Sequence, residues 1–219
     1  MSYAVVTGAN RGIGLQLTLQ LLAKDWRVLA ACRQASDELR ASGADLVEGV
    51  ELTSDAGLER LKQAIDAPVD LLIHNAGLLT KETLEEPNLD AIRRQFEINA
   101  LAPLALTHAL LDQLAEGAKV ALITSRMGSL ADNTSGSRYG YRMTKAAANM
   151  MGVSLARDLA PRGVAVAILH PGFVRTGMTG FNGYIEPDEA ASGLLARIDE
   201  AVAGEEPVFR HANGELLPW

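Results

Sequence analysis

The stretch Tyr3-Ala4-Val5-Val6-Thr7-Gly8-Ala9-Asn10-Arg11-Gly12-Ile13-Gly14 carries the decision about the fold. Tyr3–Thr7 is a short β-rich run, and a helical pattern takes over at Gly12–Lys24. Between them, three residues without Cβ let the chain turn sharply, approach a bound anion and pack helix against strand. The free N–H groups of the helix start then face that anion. The spacing is Gly-x-x-x-Gly-x-Gly, and no Gly-Lys-Ser/Thr follows, which excludes a nucleoside-triphosphate loop of the Walker type. A glycine-rich turn with no ligand is the bland alternative.

Outward from this unit, β-rich runs alternate with amphipathic stretches. Strands are predicted at 27–32, 44–52, 69–74, 119–124, 164–170 and 207–210, and helices at 37–42, 54–67, 89–116, 136–160 and 187–203. Leu71-Leu72-Ile73 and Val164-Ala165-Val166-Ala167-Ile168 are apolar on consecutive residues, so both faces of their sheet are covered. Right-handed crossovers then give a doubly wound parallel α/β sandwich of Rossmann type, read as a single domain over 1–219. Its ligand site is expected at the carboxyl ends of the strands. Gly177–Glu186 has no clear pattern and follows the sixth strand, where a loop can cover a ligand.

Bulk properties narrow the function classes. With 219 residues, 48% hydrophobic and 21% charged, the chain can bury a core without staples, and its single cysteine, Cys32, forms no internal disulfide. The apolar run Ala100–Leu111 is short and interrupted by Pro103 and His108, so no membrane segment is expected, and the N-terminus shows no export pattern. A cytoplasmic location follows as the expectation. A net charge of −7 disfavours nucleic acid, which requires a concentrated basic surface. The four histidines fall at no ligand spacing, so no metal is expected.

Further along, His74-Asn75-Ala76-Gly77, Asn99, Ser125, Tyr141-x-x-x-Lys145 and Pro171-Gly172 occur in order at strand ends and helices. Together with the glycine turn they resemble the short-chain dehydrogenase/reductase family over nearly the whole chain. The resemblance implies that Gly8, Gly12 and Gly14, with Asn10, Arg11 and Ile13 between them, hold the cofactor phosphates. It places Glu51 and Leu52 near the adenine, and Asn75, Ala76 and Gly77 beside the adenosine half. Tyr141, Lys145, Pro171, Gly172, Val174 and Thr176 would reach the nicotinamide half. Ser125, Tyr141 and Lys145 would form the catalytic set, with Asn99 holding a water in a proton relay. Two positions depart from the common pattern: His74 stands where asparagine is frequent, and Glu51 where aspartate is usual.

The chemistry gives these types a reason. Reducing a carbonyl requires a hydride and a proton donor of adjustable acidity beside the developing alkoxide. Tyrosine, at about 10, is a reluctant donor, and a cation four residues away on the same helical face, Lys145, is expected to lower its pKa. Ser125 adds a second hydrogen bond to the substrate oxygen. Tyr139 competes poorly, because Met143 follows it at that spacing, and Ser129 is read as turn structure. Alone, the Tyr141/Lys145 spacing is equally that of a solvent-facing pair, and a mid-helix Asn99 can simply bond local backbone.

At the tip of the second strand, Ala31-Cys32-Arg33 lacks the acid that would grip the ribose hydroxyls of NAD, while Arg33 and Arg11 suit the extra phosphate of NADP. NADPH is therefore expected over NAD. Met127, Phe173, Met178, Phe181 and Tyr184 are the expected substrate lining. His170–Thr176 and the ending Leu216-Leu217-Pro218-Trp219 look like the carbonyl-reductase branch with sniffer-like and C-factor-like members, which implies a ketone, aldehyde or quinone substrate. The family also implies a homodimer or homotetramer. Two further readings stand beside this one: a dinucleotide-binding signalling protein of C-factor type, and an NAD-linked alcohol dehydrogenase.

Overall fold

The computed structural model describes all 219 residues, Met1–Trp219. β1 (Tyr3–Thr7) is buried at every position and lies inside an eight-stranded sheet of order β3-β2-β1-β4-β5-β6-β7-β8. The other strands are β2 (Arg27–Ala31), β3 (Asp45–Val47), β4 (Val69–His74), β5 (Leu114–Ile123), β6 (Ala165–His170), β7 (Phe209–His211) and β8 (Leu216–Leu217). β1 to β7 pair in parallel, and only β8 runs antiparallel to its neighbour. The order reverses between β1 and β4, the topological switch point at which doubly wound sheets bind ligands.

Successive strand residues serve opposite faces. Ala4, Val6, Val28, Ala30 and Ile73 pack under α1 (Gly12–Leu22) and α7 (Pro187–Asp199), through Leu17, Leu21, Leu194 and Ile198. Val5, Leu29, Leu72 and Val120 face the other layer, where α3 (Asp55–Ala64), α5 (Ala102–Ala109) and α6 (Tyr139–Leu159) bring Leu61, Leu106 and Leu159. Each such fully buried leucine contributes about 1.5–3 kcal/mol relative to an exposed one. Consecutive apolar residues in the strands thus do mark a sheet covered on both sides.

Several boundaries differ from the sequence expectation. The single helix expected over 89–116 is α4 (Leu89–Phe96), a π turn at Glu97–Leu101, and α5, followed by β5 from Leu114. Pro103 has no N–H to offer the Asn99 carbonyl four residues back, and the Ala102 N–H instead reaches five residues back to Glu97. The strand expected over 44–52 stops at Val47; Gly49, at φ +70°, turns the chain, and the Gly49 and Val50 N–H groups donate to Arg33 and Cys32. The helix expected at 37–42 is the single turn α2 (Asp37–Arg40). The last expected strand is shifted to β7, and β8, two residues long, carries too little pattern to be read.

Candidate active site

At the end of β1 the Thr7 hydroxyl is a hub. It donates to the Ile73 carbonyl at 3.2 Å and accepts from the Asn75 and Ala76 N–H groups at 3.1 and 3.2 Å. The Asn75 amide returns across the switch point, donating to the Thr7 and Gly8 carbonyls at 3.0 and 3.2 Å. These bonds fasten the glycine turn to the end of β4. Gly8 sits at φ +66°, and a Cβ there would fall 2.9 Å from the Ala76 Cα. A Cβ on Gly14 would strike the Gly8 carbonyl and the Asn75 amide. Both glycines are required by close approach.

The start of α1 is open. Arg11 precedes it with no side-chain cap and no acid in the first turn, whereas α2, α3 and α4 are capped by Ser36, Ser54 and Asn88. Its first N–H groups therefore face a cleft of about 480 Å³ that runs across the carboxyl ends of the strands. Gly8, Asn10, Arg11, Gly12, Ile13 and Gly14 line it, as do Arg33, Glu51 and Leu52. Asn75, Ala76, Gly77, Pro171, Thr176, Tyr141 and Lys145 also line it, while Ser125 and Asn99 stand behind this lining. Neither Arg11 nor Arg33 forms an ion pair with any carboxylate of the chain.

α6 places Tyr141 and Lys145 one turn apart on its sheet-facing side, both buried. The Lys145 Nζ donates to the Ile123 carbonyl at 2.9 Å and lies 5.7 Å from the centre of the Tyr141 ring. Burial lowers Lys145 to about 8. It pushes Tyr141 up to about 12, opposed by a hydrogen bond from Ser125 and by the charge of Arg138. The expectation that Lys145 lowers the tyrosine is thus not met in the chain alone: desolvation outweighs every charge nearby. Ser125 is itself buried at the end of β5, and its hydroxyl accepts from the Met127 N–H at 3.2 Å.

The Asn99 amide is committed elsewhere. It pairs with both backbone groups of Leu78, accepting and donating at 2.8 Å, and also donates to the Thr144 hydroxyl at 3.1 Å. The side chain therefore holds the Gly77–Leu78 segment against α6.

Other expected residues fall outside the cleft. Gly172, at φ +98°, packs on Ile185 and His211, and Val174 is buried in a bridge to Ile185. Of the substrate set, Met178 and Phe181 line the cleft, while Phe173 and Tyr184 stack edge to face 5.4 Å apart on its outside and Met127 does not reach it. An exposed aromatic pair satisfies itself, which periodicity does not reveal. Tyr139 stays outside the cleft, and Ser129 is turn structure, accepting from the Asp132 N–H at 3.1 Å. The cleft also recruits Leu78, Arg94, Ile98 and Arg175, which the sequence reading missed. For Arg94 and Ile98 the signal was available: they sit at i and i+4 on the helix leading to Asn99.

An open helix N-terminus on a glycine turn at the switch point, with a buried tyrosine–lysine pair lining the same cleft, defines a doubly wound α/β fold of Rossmann type. The chain belongs to the short chain dehydrogenase family, whose pattern matches residues 2–183. It is 41% identical over the whole of both chains to a 1-hydroxy-2-glutathionyl-2-methyl-3-butene dehydrogenase of Rhodococcus sp. strain AD45. It is 43% identical to the C-signal of Myxococcus xanthus, across 69% of this chain and 93% of that one. An NADPH-bound carbonyl reductase from chicken fatty liver superposes over 100% of this chain and 99% of its own with a TM-score of 0.91, at 28% identity. This chain is therefore an oxidoreductase of the nicotinamide-dependent kind.

Proposed function

We propose that the chain reduces a small-molecule carbonyl with NADPH, with Tyr141 as proton donor. The observation that carries this reading is the buried Tyr141, held neutral at about 12, in the same cleft as the open start of α1. The cofactor fits: the glycines whose Cβ atoms would fill the turn, the uncapped N–H groups and the unpaired Arg11 and Arg33 form an anion cradle. Bound there, a nicotinamide dinucleotide supplies the hydride.

The protein's own part is the proton. A phenol near 12 remains protonated at neutral pH and passes its proton downhill to a more basic alkoxide. Lys145, cationic below about 8, lies beside the ring to stabilise the tyrosinate left behind, and Ser125 orients the substrate oxygen by its hydroxyl. The Asn99 carbonyl holds a water that returns a proton toward Lys145. Arg11 and Arg33 select the 2′-phosphate, supported by the absence of any acid in Ala31-Cys32-Arg33 and by the NADPH-bound relative. Met178 and Phe181 offer an apolar wall to the substrate.

A second reading runs the same groups in reverse on an alcohol, and the 41% identical relative, named for a hydroxylated glutathionyl compound, favours it. Assaying a panel of aldehydes, ketones, quinones and alcohols with NADPH, NADH, NADP+ and NAD+ separates the two. Turnover confined to alcohols with NAD+ would replace the first reading by the second.

A further inference from the structure

Immediately after Ser125, the single 3-10 turn Arg126–Gly128 is pressed between two surfaces. On its inner side the turn lies directly on α6 at Lys145: a Cβ on Gly128 would come within 2.6 Å of the Lys145 carbonyl carbon and 2.8 Å of its oxygen. The Gly128 N–H closes the turn on the Ser125 carbonyl at 2.7 Å. No side chain larger than hydrogen fits between the turn and α6, and a second element bears on the turn from outside.

What bears on it is the β7–β8 hairpin and the residues after it. The Trp219 main-chain oxygen accepts from the Ser129 hydroxyl at 3.2 Å and from the Ala131 N–H at 3.0 Å. Arg126 donates to Glu215 at 2.7 Å and lies 3.4 Å from Asp132. The Trp219 ring stacks on the buried Phe209 of β7, centroids 5.7 Å apart at 19°. The same hairpin reaches the second loop of the cleft. The Ala212 N–H donates to the His170 carbonyl at 2.8 Å, and His211 lies under Gly172, within about 3.5 Å of where a Cβ would stand. One element thus holds both the Ser125 turn and the Pro171–Gly172 turn.

We propose that this hairpin is a positioning clamp for Ser125, with Trp219 as its chief positioning residue and the Arg126–Glu215 pair as its second fastening. The clamp rests on the carbonyl-reductase reading, in which Ser125 orients the substrate oxygen. A displacement of about 1 Å in such a group costs up to about 100-fold in rate, so loosening the turn acts on kcat and leaves the glycine turn, 8–14, untouched.

Trp219→Ala, Trp219→Phe, Ser125→Ala and the Ser125→Ala/Trp219→Ala double variant are compared using 4-nitrobenzaldehyde and NADPH, with NADPH affinity by fluorescence titration and amide exchange of Met127 and Gly128. The clamp predicts that Trp219→Ala loses about 10- to 100-fold in kcat. It also predicts NADPH affinity within about twofold, rescue by Trp219→Phe, and little further loss when Ser125 is already absent, because coupled residues are non-additive. Exchange at Met127 and Gly128 rises in Trp219→Ala. Unchanged exchange, or an equal loss from Trp219→Ala in the presence and absence of Ser125, would overturn the clamp. A wild type that reduces no aldehyde, ketone or quinone of the panel would remove the carbonyl-reductase reading and the catalytic role of the clamp with it, and raised exchange at Met127 and Gly128 in Trp219→Ala would then show only that the hairpin holds the turn.

Discussion

Replacing Thr7 by valine changes the site with almost no change of shape. The side chain is 1% exposed, and its hydroxyl makes one donated and two accepted bonds that join β1 to the Asn75-Ala76 turn. Valine supplies the missing volume, so no cavity term arises and the loss is polar. The Asn75 and Ala76 N–H groups lose their acceptor, and each buried unsatisfied donor costs about 1–3 kcal/mol. Both residues are half-buried, which places each near the lower end and the pair at about 2–3 kcal/mol. For a chain of this size that lowers Tm by about 4–12 °C. Thr7→Ser keeps the hydroxyl and loses a methyl, about 0.5–1.5 kcal/mol by analogy with Ile→Val. Urea unfolding of both variants gives the comparison, and NADPH titration reads the accompanying displacement of Gly8 and Ala76. A Thr7→Val protein as stable as Thr7→Ser, with unchanged cofactor affinity, would refute the hub.

Other outcomes follow from the same geometry. Arg33→Ala is expected to weaken NADPH binding by about 10- to 100-fold, the loss of one charge-assisted bond of about 1.5–3 kcal/mol, while NADH binding stays within twofold; calorimetric titration of both cofactors checks this. Gly14→Ala drives a methyl into the Gly8 carbonyl and is expected to abolish measurable dinucleotide binding in the same titration, with the folded circular-dichroism spectrum retained. His74 is fully buried, donates from Nε2 to a Thr107 hydroxyl already committed to Pro103, and is held neutral at about 3 by burial. Its folded pKa lies below its unfolded value, so the unfolded chain binds more protons between about 6.5 and 3, and stability falls as pH falls through that window. The loss is about 2 kcal/mol between pH 8 and pH 5. His170, lowered likewise by burial, adds a similar loss, and in urea titrations at the two pH values His74→Gln removes its own share only.

The fold was legible because its signals are local. The all-apolar strands, the strand–glycine–helix unit and the alternation of elements each follow from a few neighbouring residues, and the sheet order is then constrained by handed crossovers. The glycine turn, Tyr141, Lys145 and Asn75 were legible for the same reason. What escaped depends on partners distant in sequence. The partners of the Asn99 amide, Leu78 and Thr144, lie far from it in sequence, and the segment that runs through Trp219 acquires meaning only against Ser129 and Ala131. Helical spacing showed that Lys145 faces Tyr141 but could not show that burial, a property of the whole layer, raises the phenol instead of lowering it. Phe173 and Tyr184 were misplaced because an aromatic in a loop reads the same whether it lines a cleft or stacks on its neighbour.

Single-turnover reduction of an aldehyde by Tyr141→Phe with saturating NADPH reads out whether Tyr141 delivers the proton in an NADPH-driven reduction. Phenylalanine keeps the ring in its buried place beside Lys145 and removes only the hydroxyl. NADPH affinity is expected within about twofold of wild type, with a fall of about 100- to 10,000-fold in the hydride-transfer rate, the range for loss of a positioned general acid. A Tyr141→Phe protein that binds NADPH and reduces the aldehyde within about threefold of the wild-type rate would contradict it.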